Sequence, residues 1–184
     1  MGDASSVPLL PNAKFAIRDS IEADMFAIRP IYAHYVANAL ATFEETPPTI
    51  EEMIARRKKT LDLGLPYLVA ASGDEILGYC YAGAYHMRPA YRHTIEDSVY
   101  VANGLGGRGV GAALLGELIA RCEAGPLRQM IAIIGDSGNA ASIALHRRFG
   151  FEPVGTLRSV GFKFGRWVDT PFMQRALGDG AGPV

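Results

Sequence analysis

The chain has 184 residues, 49% hydrophobic and 20% charged, a composition typical of one globular domain with a sizeable core. Eighteen basic and nineteen acidic residues leave a net charge of −1, whereas domains that bind nucleic acid carry a clear basic excess. No apolar run approaches the roughly 18 residues that a membrane-spanning helix needs. We therefore expect a protein that binds neither nucleic acid nor membrane.

Two cysteines, Cys80 and Cys122, lie inside apolar stretches, as buried free thiols do. Two cysteines cannot form the framework of a small secreted domain, which favours the reducing cytoplasm. Residues 1–13 lack the pattern of a signal peptide and are expected to be flexible, as is the glycine-rich tail 178–184. The intervening residues 14–177 contain no linker and are predicted to form a single domain.

Periodicity along the chain predicts strands where β-branched and aromatic residues cluster, and helices where apolar residues recur at helical spacing. Pro30 is expected to break the first helix, Thr49 to cap the second, and the basic run Arg56–Lys59 near its end to be a solvated face. In chain order, the prediction is a strand at 14–18, a helix at 21–41, a helix after Thr49, strands at 67–71, 76–85 and 95–102, a helix through 114–122, a strand at 130–134, a helix at 140–149, and two strands within 152–177 with turns at Gly161 and Gly165. This order favours an α/β (α+β) fold, with a mixed central sheet flanked by helices.

Five glycines fall between Gly104 and Gly111, where a predicted strand gives way to a helix. Bare backbone N–H groups and the positive end of a helix favour a phosphate or pyrophosphate there. A P-loop is excluded, because no Lys and Ser or Thr follow Gly109. Gly104, Gly106 and Gly109 satisfy the G-x-G-x-x-G pattern of a nicotinamide-dependent oxidoreductase, with Asp136 as the ribose-binding acid. An acyl-coenzyme A loop and a tight turn without a ligand are the other interpretations.

Two segments resemble the GNAT N-acetyltransferase superfamily. The sequence Arg-Gly-Val-Gly-Ala at 108–112 resembles its coenzyme A signature, Q/R-x-x-G-x-G/A, with Gly106 in place of the Q/R. Residues 139–146 and the Phe-Gly-Phe-Glu that starts at Phe149 resemble its second cofactor-contacting helix and closing turn. The segments 88–91, 96–101 and 160–167 are similar to phosphinothricin acetyltransferases and their relatives acting on methionine sulfone or sulfoximine. This resemblance covers roughly residues 14–177 and implies a GNAT fold, acetyl-CoA as co-substrate and a homodimer.

The resemblance also implies which residues hold acetyl-CoA. The backbone of the strand at 98–101 would pair with the pantetheine arm, and the glycine loop and the later helix would hold the remainder. The residues implied as cofactor-binding are Val99, Tyr100, Val101, Gly107, Arg108, Gly109, Gly111, Ala112, Asn139 and Ser142.

Acetyl transfer requires a neutral amine, and an α-amino group with a pKa near 8 is mostly protonated at neutral pH, so a positioned base is useful. Glu96 matches the family's base glutamate, whereas Asp97 points to the opposite face of the strand and is expected not to be catalytic. His146 follows Ser142 by one helical turn, where many superfamily members have Tyr. It could donate a proton to the departing thiolate, polarise Glu96 or be a core histidine.

Arg88 and Tyr91 resemble the family's substrate-side residues, and a guanidinium can grip an amino-acid carboxylate through two hydrogen bonds. Phe43 either lines the acceptor pocket or belongs to the core. The histidines form no metal-binding pattern, and no Ser or Cys sits in a G-x-S-x-G elbow, so neither a metal nor an acyl-enzyme is predicted.

The sequence therefore predicts an acetyl-CoA-dependent N-acetyltransferase that acts by direct attack in a ternary complex. The expected acceptors are small amino-acid-like amines of the phosphinothricin, methionine sulfoximine or methionine sulfone type. Another small amine or a protein N-terminus is the alternative within this activity. A nicotinamide-dependent oxidoreductase and a non-catalytic coenzyme A-binding regulator are the alternatives of other classes.

Overall fold

A computed structural model describes residues 15–183, and this part of the chain forms seven strands and four α-helices. The strands are β1 (Ala16–Asp19), β2 (Tyr67–Ser72), β3 (Glu75–Ala84), β4 (Thr94–Val101), β5 (Gln129–Ile133), β6 (Glu152–Lys163) and β7 (Arg166–Ala176). The helices are α1 (Met25–Asn38), α2 (Ile50–Asp62), α3 (Val110–Glu123) and α4 (Ala140–Arg148). The predicted order of elements and the mixed α/β architecture are confirmed.

The strands form one sheet in the order β1-β2-β3-β4-β5-β7-β6. One face packs beneath α3 in a core built around Leu114 and Leu118, and the other packs beneath α1 and α2 around Met25 and Ile28. The pair β4–β5 is the only parallel one among the described residues, and its pairing covers just Thr94–Asp97. Beyond Asp97 the two strands diverge and open the sheet between them.

The N-terminus of α2 follows its sequence signature. The hydroxyl of Thr49 accepts a hydrogen bond from the backbone N–H of Glu52 (3.2 Å), and the Glu52 carboxylate accepts one from the backbone N–H of Thr49 (2.7 Å). This reciprocal capping box satisfies two N–H groups that a helix start otherwise leaves unpaired. The predicted cap is thus confirmed.

Two local predictions are wrong. Helix α1 continues through Pro30 instead of breaking there. Proline has no N–H, so the carbonyl of Phe26 lacks the hydrogen bond that residue 30 would donate. Phe26 and Pro30 are both exposed, so water can bind that carbonyl instead. Gly161 lies within β6 and not in a turn, and the ring of Phe43 covers it so closely that a Cβ there would lie 2.6 Å from the ring. The actual turn of this hairpin is at Phe164 and Gly165, both with positive φ.

Two segments expected to be flexible flank the predicted domain. Residues 1–13, expected to be flexible, lie outside the described part of the chain. In the expected tail, Arg128 forms an ion pair with Asp179 (3.2 Å) and donates a hydrogen bond to the carbonyl of Pro183 (2.9 Å). The boundaries 14–177 stay a prediction. Within residues 15–183, every helix is too short or too polar to cross a membrane.

Candidate active site

A groove opens where β4 and β5 diverge. It has a volume of about 560 Å³ and lies between the end of β4, the glycine loop that follows it and the start of α4. On its other edge β4 is fully paired with β3, as far as Val101 opposite Gly78. The backbone of residues 98–101 therefore has one edge free for a ligand that runs along the strand.

The glycine loop forms the end of the groove next to α3. Gly104, Gly107 and Gly109 have φ of 80°, 75° and 83°, the left-handed region that favours glycine. Gly109 is the residue directly before α3, and its carbonyl accepts the first helical hydrogen bond, from Ala113 (2.9 Å). The N–H groups of the first helical turn have no partner within the helix, and together with the helix dipole they favour an anion such as a pyrophosphate.

Nine of the ten residues predicted to bind the cofactor line this groove. The exception is Arg108, which is exposed in the glycine loop and is not part of the lining. Those that line it are Val99, Tyr100, Val101, Gly107, Gly109, Gly111, Ala112, Asn139 and Ser142. The sequence analysis missed Tyr35 of α1, whose hydroxyl donates a hydrogen bond to the carbonyl of Val101 (2.7 Å) and so anchors the end of β4. It also missed Arg148, at the end of α4.

Glu96 lies on the opposite face of β4 from the buried Ile95 and Asp97. It pairs with Gly83 of β3, and residues directly opposite in an antiparallel pair share a face. Gly83 lines a second cavity, so the Glu96 carboxyl lies on the side of the sheet that holds that cavity. Burial, with the charge of Asp97 as a smaller contribution, raises the pKa of Glu96 to about 7.

This second cavity, of about 220 Å³, lies between α2 and the β2–β3 strands. It is lined by the rings of Tyr32 and Tyr81 and by two cations of α2, Arg56 and Lys59. Arg56 donates two hydrogen bonds to the Glu44 carboxylate (2.6 and 3.1 Å). Arg56 and Lys59 are both exposed, as expected for a solvated face, and they also line this cavity. The helical spacing of Met53, Arg56, Thr60 and Leu63, which share one face, was the signal available in the sequence.

The residues predicted to bind the acceptor are not among those lining either cavity. Arg88 and Tyr91 are exposed in the β3–β4 connection, next to Met87, which does line the smaller cavity. Tyr91 packs edge-on against His86, with ring centroids 4.9 Å apart. Phe43 lies over Gly161 of β6. Their predicted role in binding stays a prediction.

His146 is buried in the wall of the groove, on the face opposite Glu96. Its Nε2 lies 3.0 Å from Asp97 Oδ2, and its Nδ1 lies 2.8 Å from the carbonyl oxygen and 3.4 Å from Oγ of Ser142. The ring thus contacts Asp97 rather than Glu96. Burial lowers the pKa of His146, but the hydrogen bond and charge of Asp97 outweigh it and raise the pKa above its ordinary value of 6.5. Within residues 15–183, no cluster of three or more His, Cys, Asp or Glu could hold a metal ion.

The sequence-family model of the acetyltransferase (GNAT) domain matches residues 17–171 of this chain. The chain belongs to the GNAT acetyltransferase family. It is 59% identical to phosphinothricin N-acetyltransferase of Alcaligenes faecalis, over 85% of this chain and 80% of that protein. It is 44% identical to the L-methionine sulfoximine/L-methionine sulfone acetyltransferase of Pseudomonas paraeruginosa, over 88% of this chain and 94% of that protein.

Among solved structures, the phosphinothricin acetyltransferase of Sinorhizobium meliloti in complex with acetyl-CoA superposes with a TM-score of 0.89. The two chains are 46% identical, and the match covers 93% of this chain and 92% of the other. These findings confirm the predicted family and acetyltransferase class. The alternative of a dinucleotide-binding fold is wrong, because the described sheet has a single parallel pair where that fold needs a mostly parallel sheet.

Proposed function

We propose that the protein transfers the acetyl group of acetyl-CoA to the amino group of a small amino-acid-like acceptor, of the phosphinothricin or methionine sulfoximine and sulfone type. The observation that carries this proposal is the placement of the groove along the free edge of β4 and of the smaller cavity on one face of β3, the face that Glu96 shares. The substrates named for the relatives from Alcaligenes and Pseudomonas support the acceptor class.

The residues of the groove fit coenzyme A in chemistry and order. The glycine loop and the first turn of α3 would hold the pyrophosphate, and the free edge of residues 98–101 would pair with the pantetheine amides. Asn139, which caps α4 through a hydrogen bond to the N–H of Ser142 (3.1 Å), would close the other wall. Bound acetyl-CoA supplies the acetyl group as a thioester, whose sulfur would lie toward Asp97 because the phosphates lie beyond Val101.

Glu96 is our candidate for the base. The acceptor ammonium gives a proton to Glu96, directly or through one water, and the freed lone pair forms the new C–N bond while the thioester C–S bond breaks. A carboxylate with a pKa of about 7 suits this task, because it is basic enough to accept the proton and still half-ionised at neutral pH.

The smaller cavity is our candidate for the acceptor site. Lys59 and Arg56 supply positive charge for a carboxylate or phosphinate, and the tyrosine rings supply apolar walls for a short side chain. Glu44 compensates the charge of Arg56, which leaves Lys59 as the cation more readily available to an anionic acceptor. Arg88 and Tyr91 border this region through Met87 and are proposed as further acceptor contacts, reached from the exposed β3–β4 connection.

The test is thiol release from acetyl-CoA over a panel of phosphinothricin, methionine sulfoximine, methionine sulfone, unmodified amino acids and N-terminal peptides. We expect the first three to give the highest kcat/KM. Faster turnover of a peptide would move the acceptor to a protein N-terminus. Binding of coenzyme A without turnover of any amine would instead identify a non-catalytic regulator.

We also propose a homodimer, formed through the β6–β7 hairpin. This hairpin exposes Val154, Leu157, Val160, Phe162 and Trp167, each more than half accessible. So many apolar side chains on one exposed element favour a protein partner, and a second copy of the chain presents the same surface. The buried free thiols of Cys80 and Cys122 support a reducing location such as the cytoplasm.

A further inference from the structure

The Asp97–His146 pair is a buried ionisable pair that the transfer reaction, as proposed above, does not use. The side chain of Asp97 is 1% exposed and that of His146 is 6% exposed. Both residues line the groove, at the end that lies away from the glycine loop. The pair therefore lies where the sulfur of acetyl-CoA is proposed to lie.

The two hydrogen bonds of the ring determine its protonation. Nδ1 faces the carbonyl oxygen of Ser142, which can only accept, so Nδ1 must carry a proton. Nε2 faces the carboxylate of Asp97, and one proton must lie between these two atoms. The hydrogen bond and charge of Asp97 outweigh burial and raise the pKa of His146, so this proton belongs to Nε2.

Before a thiolate forms to take a proton, loss of either proton would be costly at this site. Without the Nδ1 proton, two lone pairs face each other across 2.8 Å, and the Asp97 carboxylate is left as an uncompensated buried charge. Asp97 Oδ1 is buried and has no hydrogen-bond partner among the described residues, so the imidazolium is the group that balances its charge.

The other titratable groups near the pair do not compete for this role. The thiols of Cys80 on β3 and Cys122 on α3 are close enough to sense the charge of Asp97, and burial followed by that charge raises the pKa of both, so they stay neutral. Phe151 packs edge-on against the ring and carries no charge. Arg148, from the exposed end of α4, lines the groove as a fixed cation.

We propose that Asp97 is a positioning residue that keeps His146 as an imidazolium, with its Nδ1 proton beside Ser142 Oγ as the proton source for the departing thiolate. The inference rests on the proposed function. When the C–S bond breaks, its electron pair stays on sulfur. The thiolate takes the hydroxyl proton of Ser142, the Ser142 oxygen takes the Nδ1 proton, and the imidazole regains a proton from water. The acceptor ammonium loses two protons, one to solvent and one to Glu96, which then passes it to solvent. One of the two replaces the proton that His146 gave up, so each turnover releases one proton net.

The first test is an NMR titration of the ring nitrogens of His146 in the unmodified protein, assigned by comparison with His146→Gln. We expect the ring to titrate above 6.5, the ordinary pKa of a histidine, and to be still mostly an imidazolium at about pH 7. A ring that is already neutral at about pH 7 would overturn the proposal. This measurement needs no turnover, so it is independent of whether the acceptor has been identified correctly.

The second test is the Asp97→Asn variant, with Asp74→Asn in the exposed β2–β3 turn as the matched control. We expect the pKa of His146 to fall, the basic limb of the kcat profile to move to lower pH with it, and kcat on that limb to drop about tenfold. This loss is smaller than the roughly 10²–10⁴-fold of a lost acid or base, because His146 remains in place. The KM for acetyl-CoA and the activity of the Asp74 variant should stay unchanged.

A basic limb that stays in place while the NMR titration moves would show that His146 is not the proton source, and would overturn the proposal. If Asp97→Asn fails to fold, Asp97→Ser gives a smaller neutral side chain for the same comparison, and the titration of the unmodified protein still decides.

Discussion

Glu96 combines an ordinary strand position with an unusual environment. It shares its face of the sheet with Gly83 and the tyrosines of the smaller cavity, so its carboxyl is withdrawn from water and close to Asp97. Both effects disfavour the ionised form and raise its pKa to about 7. A carboxyl group with this pKa becomes an active base only near pH 7, whereas an ordinary glutamate is ionised from about pH 4.3.

We therefore expect Glu96→Gln to lower kcat by about 10²–10⁴-fold, as loss of a general base does. In the unmodified enzyme, kcat/KM should rise with pH through about 7, because deprotonated Glu96 is the active form. In the variant this limb should vanish and leave only the ionisation of the acceptor amine, at higher pH. Rates measured from pH 5 to pH 9 check both statements.

Glu75→Gln is the matched control for this experiment. Glu75 is exposed at the start of β3, so the variant makes the same change of charge at a position away from the site. It should leave the rate and the pH profile unchanged. A Glu96→Gln variant that retains both the rate and the limb near pH 7 would assign the base to another group.

At this scale the sequence predicted the face on which a residue lies better than it predicted the partners of that residue. Strand alternation correctly separated Glu96 and Asp97 onto opposite faces, but it did not indicate that Asp97 also lines the groove. Whether a face is functional depends on how β4 and β5 diverge, and no local pattern reports that divergence. For the same reason, helical spacing could place Arg56 on one face of α2 but could not reveal Glu44, which comes from the preceding loop.

At the scale of elements, the contact between β3 and β4 shapes the groove. A Cβ on Gly78 would lie 2.7 Å from the carbonyl oxygen of Tyr100 and 3.2 Å from the Cα of Val101. Both are backbone atoms in the part of β4 that lines the groove, so they cannot move aside as a side chain could. This glycine lets the two strands approach at the point where the cofactor is proposed to bind.

We expect Gly78→Ala to destabilise the protein by about 1–3 kcal/mol, the usual cost of overpacking. For a chain of this size, that corresponds to a fall in melting temperature of roughly 2–4 °C per kcal/mol. The matched control is Gly83→Ala on the same strand, where a Cβ meets nothing within 4 Å, so its melting temperature should hold or rise slightly. Equal melting temperatures for the two variants would contradict the close approach.

The glycine loop allows a separate prediction about cofactor binding. Gly109 precedes α3 at a φ of 83°, a conformation that costs an L-residue about 1–2 kcal/mol, whereas Gly106 has no positive φ and an open Cβ position. Gly109→Ala should weaken coenzyme A binding about tenfold, because relief of this strain turns the N–H groups of the first helical turn away from the pyrophosphate. Calorimetry with coenzyme A checks this.

Gly106→Ala changes the same loop without backbone strain and should bind coenzyme A with nearly the original affinity. If both variants bind equally well, the loop does not depend on the left-handed conformation at Gly109.

The elements were largely predictable because most are defined by local patterns, as the capping box of α2 shows. The failures at Pro30 and Gly161 have tertiary causes. An exposed helix face accommodates the proline, and a ring from the α1–α2 connection makes the glycine necessary inside β6. The smaller cavity is likewise formed by residues far apart in sequence, so no single segment predicted it.

For the whole molecule, the β6–β7 hairpin is the outermost pair of the sheet, and nearly all of β6 is exposed. Phe162 and Trp167 face each other across its two strands, with ring centroids 5.2 Å apart, yet they are 55% and 66% exposed. A hairpin this apolar is expected to be covered in solution by a second copy. Light scattering should therefore give twice the mass of one chain.

Replacing Phe162 and Trp167 together with Glu should convert the dimer into a folded monomer, because each carboxylate would be buried without a partner at the interface. Phe26→Glu is the control: this ring is 69% exposed on α1, away from the hairpin, so that variant should stay dimeric. A monomeric unmodified protein, or a double variant that remains dimeric, would remove the hairpin as the interface. Since neither ring lines the groove or the smaller cavity, turnover by the monomer would further show that each chain carries a complete site.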